Sequence, residues 1–285
     1  MSTGSGFSPN PWQQTSWDWR AAGNFICGGA GTGLLITAAI YSSSAGTPVA
    51  LIFAGLALVG LGLLCVWLEI GRPLRALHVF LNPRTSWMSR EAFVGLVLFP
   101  AGLAAMLGLG GWVWITALLA LIFLYCQSRM LPAARGIPAW RSGLMSPLFI
   151  VTALCEGTGI LLLLDIQSRA APRAALPAFI VLLVLRLLVW LRYRNSVDGS
   201  LAVRARRALD LAGQRLLIVG SAVPVTLLAA GWLAGGSVQP LLTALAGACA
   251  AYAGAHVKYT LVTRASFNQG FALQKIPVRG VRDIP

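Results

Sequence analysis

The segment at residues 68–93 (LEIGRPLRALHVFLNPRTSWMSREAF) holds the densest group of side chains able to carry out acid–base chemistry. Glu69 ends one apolar stretch and Glu91 opens the next, with arginines and His78 between them. A carboxyl group in a partly desolvated site is able to exchange a proton near neutral pH. The pattern therefore indicates proton exchange with a ligand at the edge of an apolar region.

Each acid also has a structural interpretation. Glu91 would stand in the first turn of a helix capped by Ser89, where the helix dipole favours an anion. Glu69 would end a helix, where the dipole disfavours an anion, and Arg72 and Arg75 are its nearest partners for a structural clamp. Both interpretations stay open for both acids. A short amphipathic helix is expected around 74–81 because its apolar residues recur at helical spacing.

Four more ionisable residues fall inside apolar stretches, where each costs about 3 kcal/mol at mid-bilayer. Glu156 and Arg186 are expected to pair across adjacent antiparallel helices, while His256 and Lys258 lie near a helix end, from which Lys258 could snorkel. A path through Glu156, Arg186 and Asp165 would indicate a transporter. That interpretation is the weaker one, because the polar residues concentrate at one face and no half-to-half repeat is visible.

Apolar stretches dominate the rest of the chain. They lie at about 24–41, 49–70, 92–109, 111–127, 144–164, 174–191, 216–234 and 240–262. Each approaches the length that a helix needs to cross a bilayer, and only a helix or a closed barrel satisfies the backbone there. We expect an all-α polytopic membrane protein with eight transmembrane helices. Its parts are a polar interfacial segment at 1–23, a membrane domain at 24–264 and a tail at 265–285. With 57% hydrophobic and 11% charged residues, no soluble catalytic domain fits.

Positive charge falls on alternate connections. The side that carries both termini collects 19 of the 22 Lys and Arg residues. Basic loops stay in the cytoplasm, so both termini and the 68–93 segment are expected there, in the inner membrane of a bacterium. The polar first 20 residues predict no cleavable signal peptide.

Cysteine and histidine usage argues against metal centres in this chain. The five cysteines contain no C-x-x-C pair, and the two histidines are too few for a di-haem anchor, so we expect no metal, haem or iron–sulfur cluster. GGAGTG at 28–33 lies inside the first apolar stretch without a preceding strand. Its Gly29 and Gly33 favour close helix packing over dinucleotide binding.

Residues 69–76 (EIGRPLRA) and 86–91 (SWMSRE) resemble the membrane anchors of molybdopterin oxidoreductases, the DmsC and NrfD-like family. The resemblance implies a subunit that holds menaquinone or ubiquinone where an iron–sulfur subunit docks, with a separate molybdopterin subunit for substrate chemistry. Many relatives have His where this chain has Glu69. Because its docking face is expected in the cytoplasm, the chain is most similar, within this family, to the anchors of phenylacetyl-CoA:acceptor oxidoreductase and sulfite dehydrogenase.

On that basis the candidate site residues divide into two groups. Glu69 and Glu91 are the candidate proton-exchanging, catalytic residues. The candidate quinone-binding residues are Asn24, Arg72, Arg75, His78, Trp87, Tyr125 and His256. The basic loops and the tail would dock the iron–sulfur subunit. A passive anchor without a quinone site is the alternative interpretation of the chain.

Overall fold

The described residues contain eight helices long and apolar enough to cross a membrane, which confirms the all-α, eight-span prediction. The computed structural model describes residues 11–70, 73–164 and 175–269, with only the backbone described at 43–45 and 73–75. The helices are α1 (Trp19–Ser42), α2 (Val49–Glu69), α3 (Trp87–Met106), α4 (Trp112–Ala133), α5 (Met145–Leu164), α6 (Ala175–Ser200), α7 (Val203–Ala234) and α8 (Val238–Arg264). The end of the bundle where α1 begins is called the basic end below.

Several helices run well beyond the apolar stretches that predict them. The connection expected between 191 and 216 is helical, because α6 continues to Ser200 and α7 begins at Val203. The first turns of α7 are amphipathic rather than apolar, so hydropathy alone misses them. Their buried face consists of Ala205, Leu209, Ala212 and Leu216.

The 68–93 segment is built in part as predicted. A short helix covers residues 73–81, as expected, and it is of the 3₁₀ type. The cap of α3 is Ser86, whose hydroxyl accepts the Ser89 backbone N–H at 3.3 Å. Ser89 itself is buried inside the helix, so the expectation that it caps α3 is wrong.

Backbone-to-backbone contact between glycines sets the centre of the bundle. A Cβ on Gly33 of α1 would overlap the Ala153 backbone of α5, and a Cβ on Gly157 would overlap the backbone of Gly33. Gly159 of α5 and Gly247 of α8 oppose each other in the same way. Small residues allow such close approach in lipid, where packing replaces the hydrophobic effect as the driving force. The expected packing role of Gly33 is confirmed.

The two ends of the described chain meet at the basic end. The Gln14 N–H donates to the Ser266 carbonyl at 3.0 Å, and the Asn268 N–H donates to the Trp12 carbonyl at 3.0 Å. Trp17, which follows, stacks near Trp140, with ring centroids 5.2 Å apart. The segment before α1 is therefore fixed over the end of the bundle.

Gly157→Ala should separate α1 from α5 and lower the free energy of unfolding by about 3 kcal/mol or more, because backbone atoms cannot move aside as a side chain does. Gly136→Ala is the control, since nothing lies within 4 Å of its added Cβ. Thermal unfolding in detergent would measure both. Equal midpoints for the two variants would contradict the packing described here.

Candidate functional site

A cleft of about 240 Å³ opens at the basic end, where α1 and α3 begin and α2 and α4 end. Most of its wall is apolar, and Asn24 and Glu69 are its hydrogen-bonding and ionisable side chains besides the indole of Trp17. Small-molecule sites have this composition, with a few polar groups placed in an apolar wall. The lining residues are Trp17, Ala21, Asn24, Phe25, Val66, Glu69, Ile70, Met88 and Met130.

A buried polar contact lies behind Asn24. The Asn24 side-chain amide donates to Glu91 Oε1 at 3.5 Å, and Gln127 Nε2 donates to the same oxygen at 3.1 Å. Gln127 Nε2 also donates to the Asn24 backbone carbonyl at 3.0 Å. Glu91 is 2% exposed. The three residues come from α1, α3 and α4, so the carboxyl group joins three helices.

Local backbone geometry places these groups. Asn24–Gly28 forms a π-helical turn inside α1, a feature that often marks functional sites because it re-aims side chains. Glu91 lies past the first turn of α3 and faces the neighbouring helices. Its contacts are with other helices rather than with the N-terminus of α3, so the capping interpretation of Glu91 is wrong.

Glu69 occupies the mouth of the cleft. Beside it, Arg20 donates to the Leu68 carbonyl at 2.9 Å and pairs with Asp18 at 2.9 Å. The hydrogen bond from Arg20 lowers the pKa of Asp18, which keeps this anion charged. The contacts tie the start of α1 to the end of α2. Arg72 and Arg75 are the two arginines expected to clamp Glu69. Arg72 and the side chain of Arg75 lie outside the described residues.

Two aromatic candidates form a separate cluster. Trp87 and Tyr125 meet edge to face with ring centroids 5.7 Å apart, and the Arg90 guanidinium lies 4.2 Å above the Trp87 ring. Arg129 lies 5.4 Å from the same ring. Neither aromatic residue lines the cleft, although the residue after Trp87, Met88, does.

The two histidines lie elsewhere. His78 is exposed on the 3₁₀ segment. His256 Nε2 is 2.6 Å from Arg215 Nη1, and its ring lies near Tyr252. Neither histidine lines the cleft. The structure thus brings together Asn24, Glu69 and Glu91 from the sequence-based candidates.

Sequence reasoning missed Gln127, the residue that holds Glu91 in place. The sequence could have identified Gln127 as a residue of interest, because an amide inside an apolar stretch needs a hydrogen-bonding partner in lipid. Deciding which partner it takes requires the packing of α4 against α1 and α3. The apolar lining residues Met88 and Met130 carried no signal, since such side chains are ordinary in membrane helices.

The expected pair of Glu156 with Arg186 is also wrong. Glu156 pairs instead with Lys258 of α8, with Nζ 2.5 Å from Oε2. Arg186 donates to the backbone carbonyls of Ala250, at 2.8 Å, and Gly220. Lys258 is 1% exposed, so it does not snorkel. The Gly220 carbonyl in the π-helical turn Ile218–Ala222 and the Ala250 carbonyl of α8 accept from the two terminal nitrogens of the guanidinium, which leaves the Lys258 ammonium group for Glu156.

The eight membrane-length helices of the described residues define a polytopic membrane protein, with a mostly apolar cleft at one end of the bundle. The protein matches the family model of the DMSO reductase anchor subunit (DmsC) over residues 25–210, and it belongs to that family. It is 33% identical over 115 residues to the C subunit of the anaerobic dimethyl sulfoxide reductase of Haemophilus influenzae. That match covers 37% of this protein and 41% of the relative, so it spans less than half of either one.

Two replacements of Glu91 distinguish the loss of its charge from the loss of its hydrogen-bond acceptor. Glu91→Gln keeps an oxygen that accepts from Asn24 and Gln127, so little stability should be lost. Glu91→Leu leaves both amides without this acceptor, which should cost about 1–3 kcal/mol for each unsatisfied group. Thermal unfolding in detergent would compare the two variants. A Leu variant as stable as the Gln variant would contradict the buried contact.

Proposed function

We propose that this chain is the membrane anchor and quinone-reactive subunit of an oxidoreductase with an iron–sulfur subunit and a molybdopterin catalytic subunit. It would exchange electrons between the clusters of the iron–sulfur partner and the membrane pool of menaquinone or ubiquinone. The observation that carries the proposal is the cleft, in which Glu69 and Asn24 face the ligand space and Glu91 lies directly behind Asn24.

The cleft suits the head of a quinone and excludes its tail. Its volume of about 240 Å³ is below the ~300–1,000 Å³ of pockets that enclose a whole drug-sized ligand. One ring fits between Phe25, Met88 and Met130, while a long apolar tail would stay among the lipid chains. An apolar wall of this kind packs against a ring without competing for its oxygens.

Quinone reduction takes up two electrons and two protons. The electrons would come from the partner, so this chain has to hold the ring and supply a proton route. Glu69 at the mouth and Glu91 behind the wall are the two acids near the cleft. Asn24 joins them, because it lines the cleft and its amide contacts Glu91. Asn24 Oδ1 is buried and has no hydrogen-bond partner within the described chain, so its acceptor capacity is unused in this arrangement.

The basic end also suits a protein partner. A recess of about 560 Å³ lies between the end of α4 and the start of α5, and Arg129, Arg135 and Arg141 line it. Within the described parts of the chain, none of these three arginines forms an ion pair with a carboxylate. This arginine recess would accept an acidic surface of the iron–sulfur subunit. The charge distribution supports a cytoplasmic position for the recess, on the inner membrane of a bacterium.

Two alternative functions, a passive anchor and a transporter, would require different residues from a quinone-reactive subunit. A passive anchor would need neither the acids nor the cleft. A transporter would need a polar path near the midplane through Glu156, Arg186 and Asp165. Against it, Glu156 and Arg186 take different partners, and Asp165 lies outside the described residues.

The central test is Glu91→Gln in the assembled complex. Quinone-dependent turnover should fall about 10²-fold or more, because the amide cannot exchange a proton, while quinol-analogue binding followed by fluorescence quenching should persist. Asp198→Asn is the matched control, an acid-to-amide change at an exposed residue paired with Arg194 and Arg206. Unchanged turnover in Glu91→Gln would remove Glu91 from the mechanism, and a failure of the unaltered complex to bind quinone analogues would favour the passive anchor.

Docking is tested by charge reversal. Arg135→Glu should release the iron–sulfur subunit from membranes at lower salt than the unaltered complex, because it repels an acidic partner inside the recess. Arg204→Glu, an exposed change of equal charge at the start of α7, is the control. Salt-dependent retention on membranes is the measurement. Equal release by both variants would mean that total charge, rather than the arginine recess, holds the partner.

A further inference from the structure

A second buried acid stands deeper in the bundle, away from the cleft. Glu156 of α5 and Lys258 of α8 are each 1% exposed, and Lys258 Nζ donates to Glu156 Oε2 at 2.5 Å. Ionisable residues inside a membrane protein are costly and mark proton or ligand paths more often than simple packing. Gly159 and Gly247 already bring these two helices into backbone contact, so the ion pair is not needed to hold them together.

The ion pair lies next to the residue that holds Glu91. Lys258 Nζ and Gln127 Oε1 both lie within 3.4 Å of the point where a Cβ on Gly29 would stand. Gln127 Nε2, at the other end of that amide, donates to Glu91. The missing side chain of Gly29 therefore leaves a small space that a polar oxygen and an ammonium group share.

Several buried oxygen atoms near Gln127 and the ion pair lack a hydrogen-bond partner within the described residues. Gln127 Oε1, Glu156 Oε1 and Thr152 Oγ1 are buried and have no hydrogen-bond partner within the described parts of the chain. Thr152 lies beside Glu156, because a Cβ on Gly254 would contact both. Buried polar atoms without a protein partner usually bind ordered water. Water at Gln127 Oε1 would complete a line from Glu91 to Lys258 and Glu156.

We propose that the Glu156–Lys258 pair is a second proton-exchanging site, which trades one proton with Glu91 through water held at Gln127 Oε1. This inference rests on the proposed quinone reaction. When quinol is oxidised, its two electrons pass to the partner's iron–sulfur cluster, and the Glu91 carboxylate takes one of its two protons. The other proton leaves through the mouth at Glu69.

The proton on Glu91 then moves on to the ion pair. Lys258 passes one of its protons to Glu156 and becomes a neutral amine, which then takes the Glu91 proton through the water at Gln127. Glu91 returns to the carboxylate form, and the pair ends as an ammonium group beside a neutral acid. Quinone reduction reverses each step. The charged and titratable groups that act on this pair from other helices are Arg186 of α6 and Cys27 of α1.

Two variants test the exchange without removing a catalytic group. Glu156→Gln with Lys258→Gln keeps a hydrogen-bonded pair of similar shape and removes both charges together, which avoids an unpaired buried charge. Gly29→Ala replaces no titratable residue, but its Cβ would overlap Lys258 Nζ, so the ammonium group has to move away from Gln127. Gly60→Ala is the control, since its Cβ would make only ordinary contact with Phe99, at 3.6 Å.

The readout is infrared difference spectroscopy of the complex as quinone is reduced, in H₂O and in D₂O. The unaltered complex should show a carboxyl C=O band from Glu156 that shifts in D₂O, and the double variant should lack this band. Gly29→Ala should retain analogue binding while quinone turnover falls roughly tenfold. Gly60→Ala should match the unaltered complex in both respects.

The outcomes separate the two proposals. If the unaltered complex binds no quinone analogue, the proposed function fails. If it binds and turns over, yet the same carboxyl band persists in the double variant, the pair is structural and the inference is overturned. Should the double variant fail to assemble, Gly29→Ala decides alone, and turnover equal to that of Gly60→Ala would also overturn it.

Discussion

Direct contact between the backbones of α1 and α5 is the constraint on which the rest of the structure depends. Gly33 and Gly157 allow this contact, and it fixes α1 in the middle of the bundle. From that position the π-helical turn at the start of α1 meets α3 and α4, so Asn24 reaches Glu91 and Gln127. The same helix presents Gly29 to Lys258. The contact of Asn24 and Gln127 with Glu91 and the position of Lys258 therefore both depend on the packing of α1 against α5.

The two acids near the cleft have different surroundings, which suits different roles. Glu69 ends a helix, is partly exposed and lines the cleft, and the Arg20 contact fixes the neighbouring backbone. Glu91 is sealed behind Asn24, and amide groups hold its Oε1 oxygen. An acid in contact with water equilibrates quickly with the solution. A sealed acid keeps or gives up its proton only when the ligand or an interior group accepts the exchange.

The sequence predicts the eight spans because lipid forces apolar stretches into helices, and it identifies Asn24, Glu69 and Glu91 as polar residues near one end. It fails where the outcome depends on tertiary packing. The amphipathic start of α7 carries too much charge for hydropathy to reveal it. The partner of Glu156 is Lys258 rather than Arg186, because Arg186 donates to backbone carbonyls instead, and no sequence pattern shows which carbonyls those are. Gln127 gains its meaning only from the three helices that meet around it.

The pairing of residues 12–14 with 266–268 has a mechanical consequence. The Gln14 side-chain amide donates both to the Trp17 carbonyl, at 2.9 Å, and to the Ser266 hydroxyl, at 3.2 Å. Trp17 forms part of the cleft wall. The last described residues are thus coupled to the ligand space through the Gln14 side chain as well as through the backbone hydrogen bonds between the two ends. Whatever binds the protein beyond that point also holds this wall of the cleft in place.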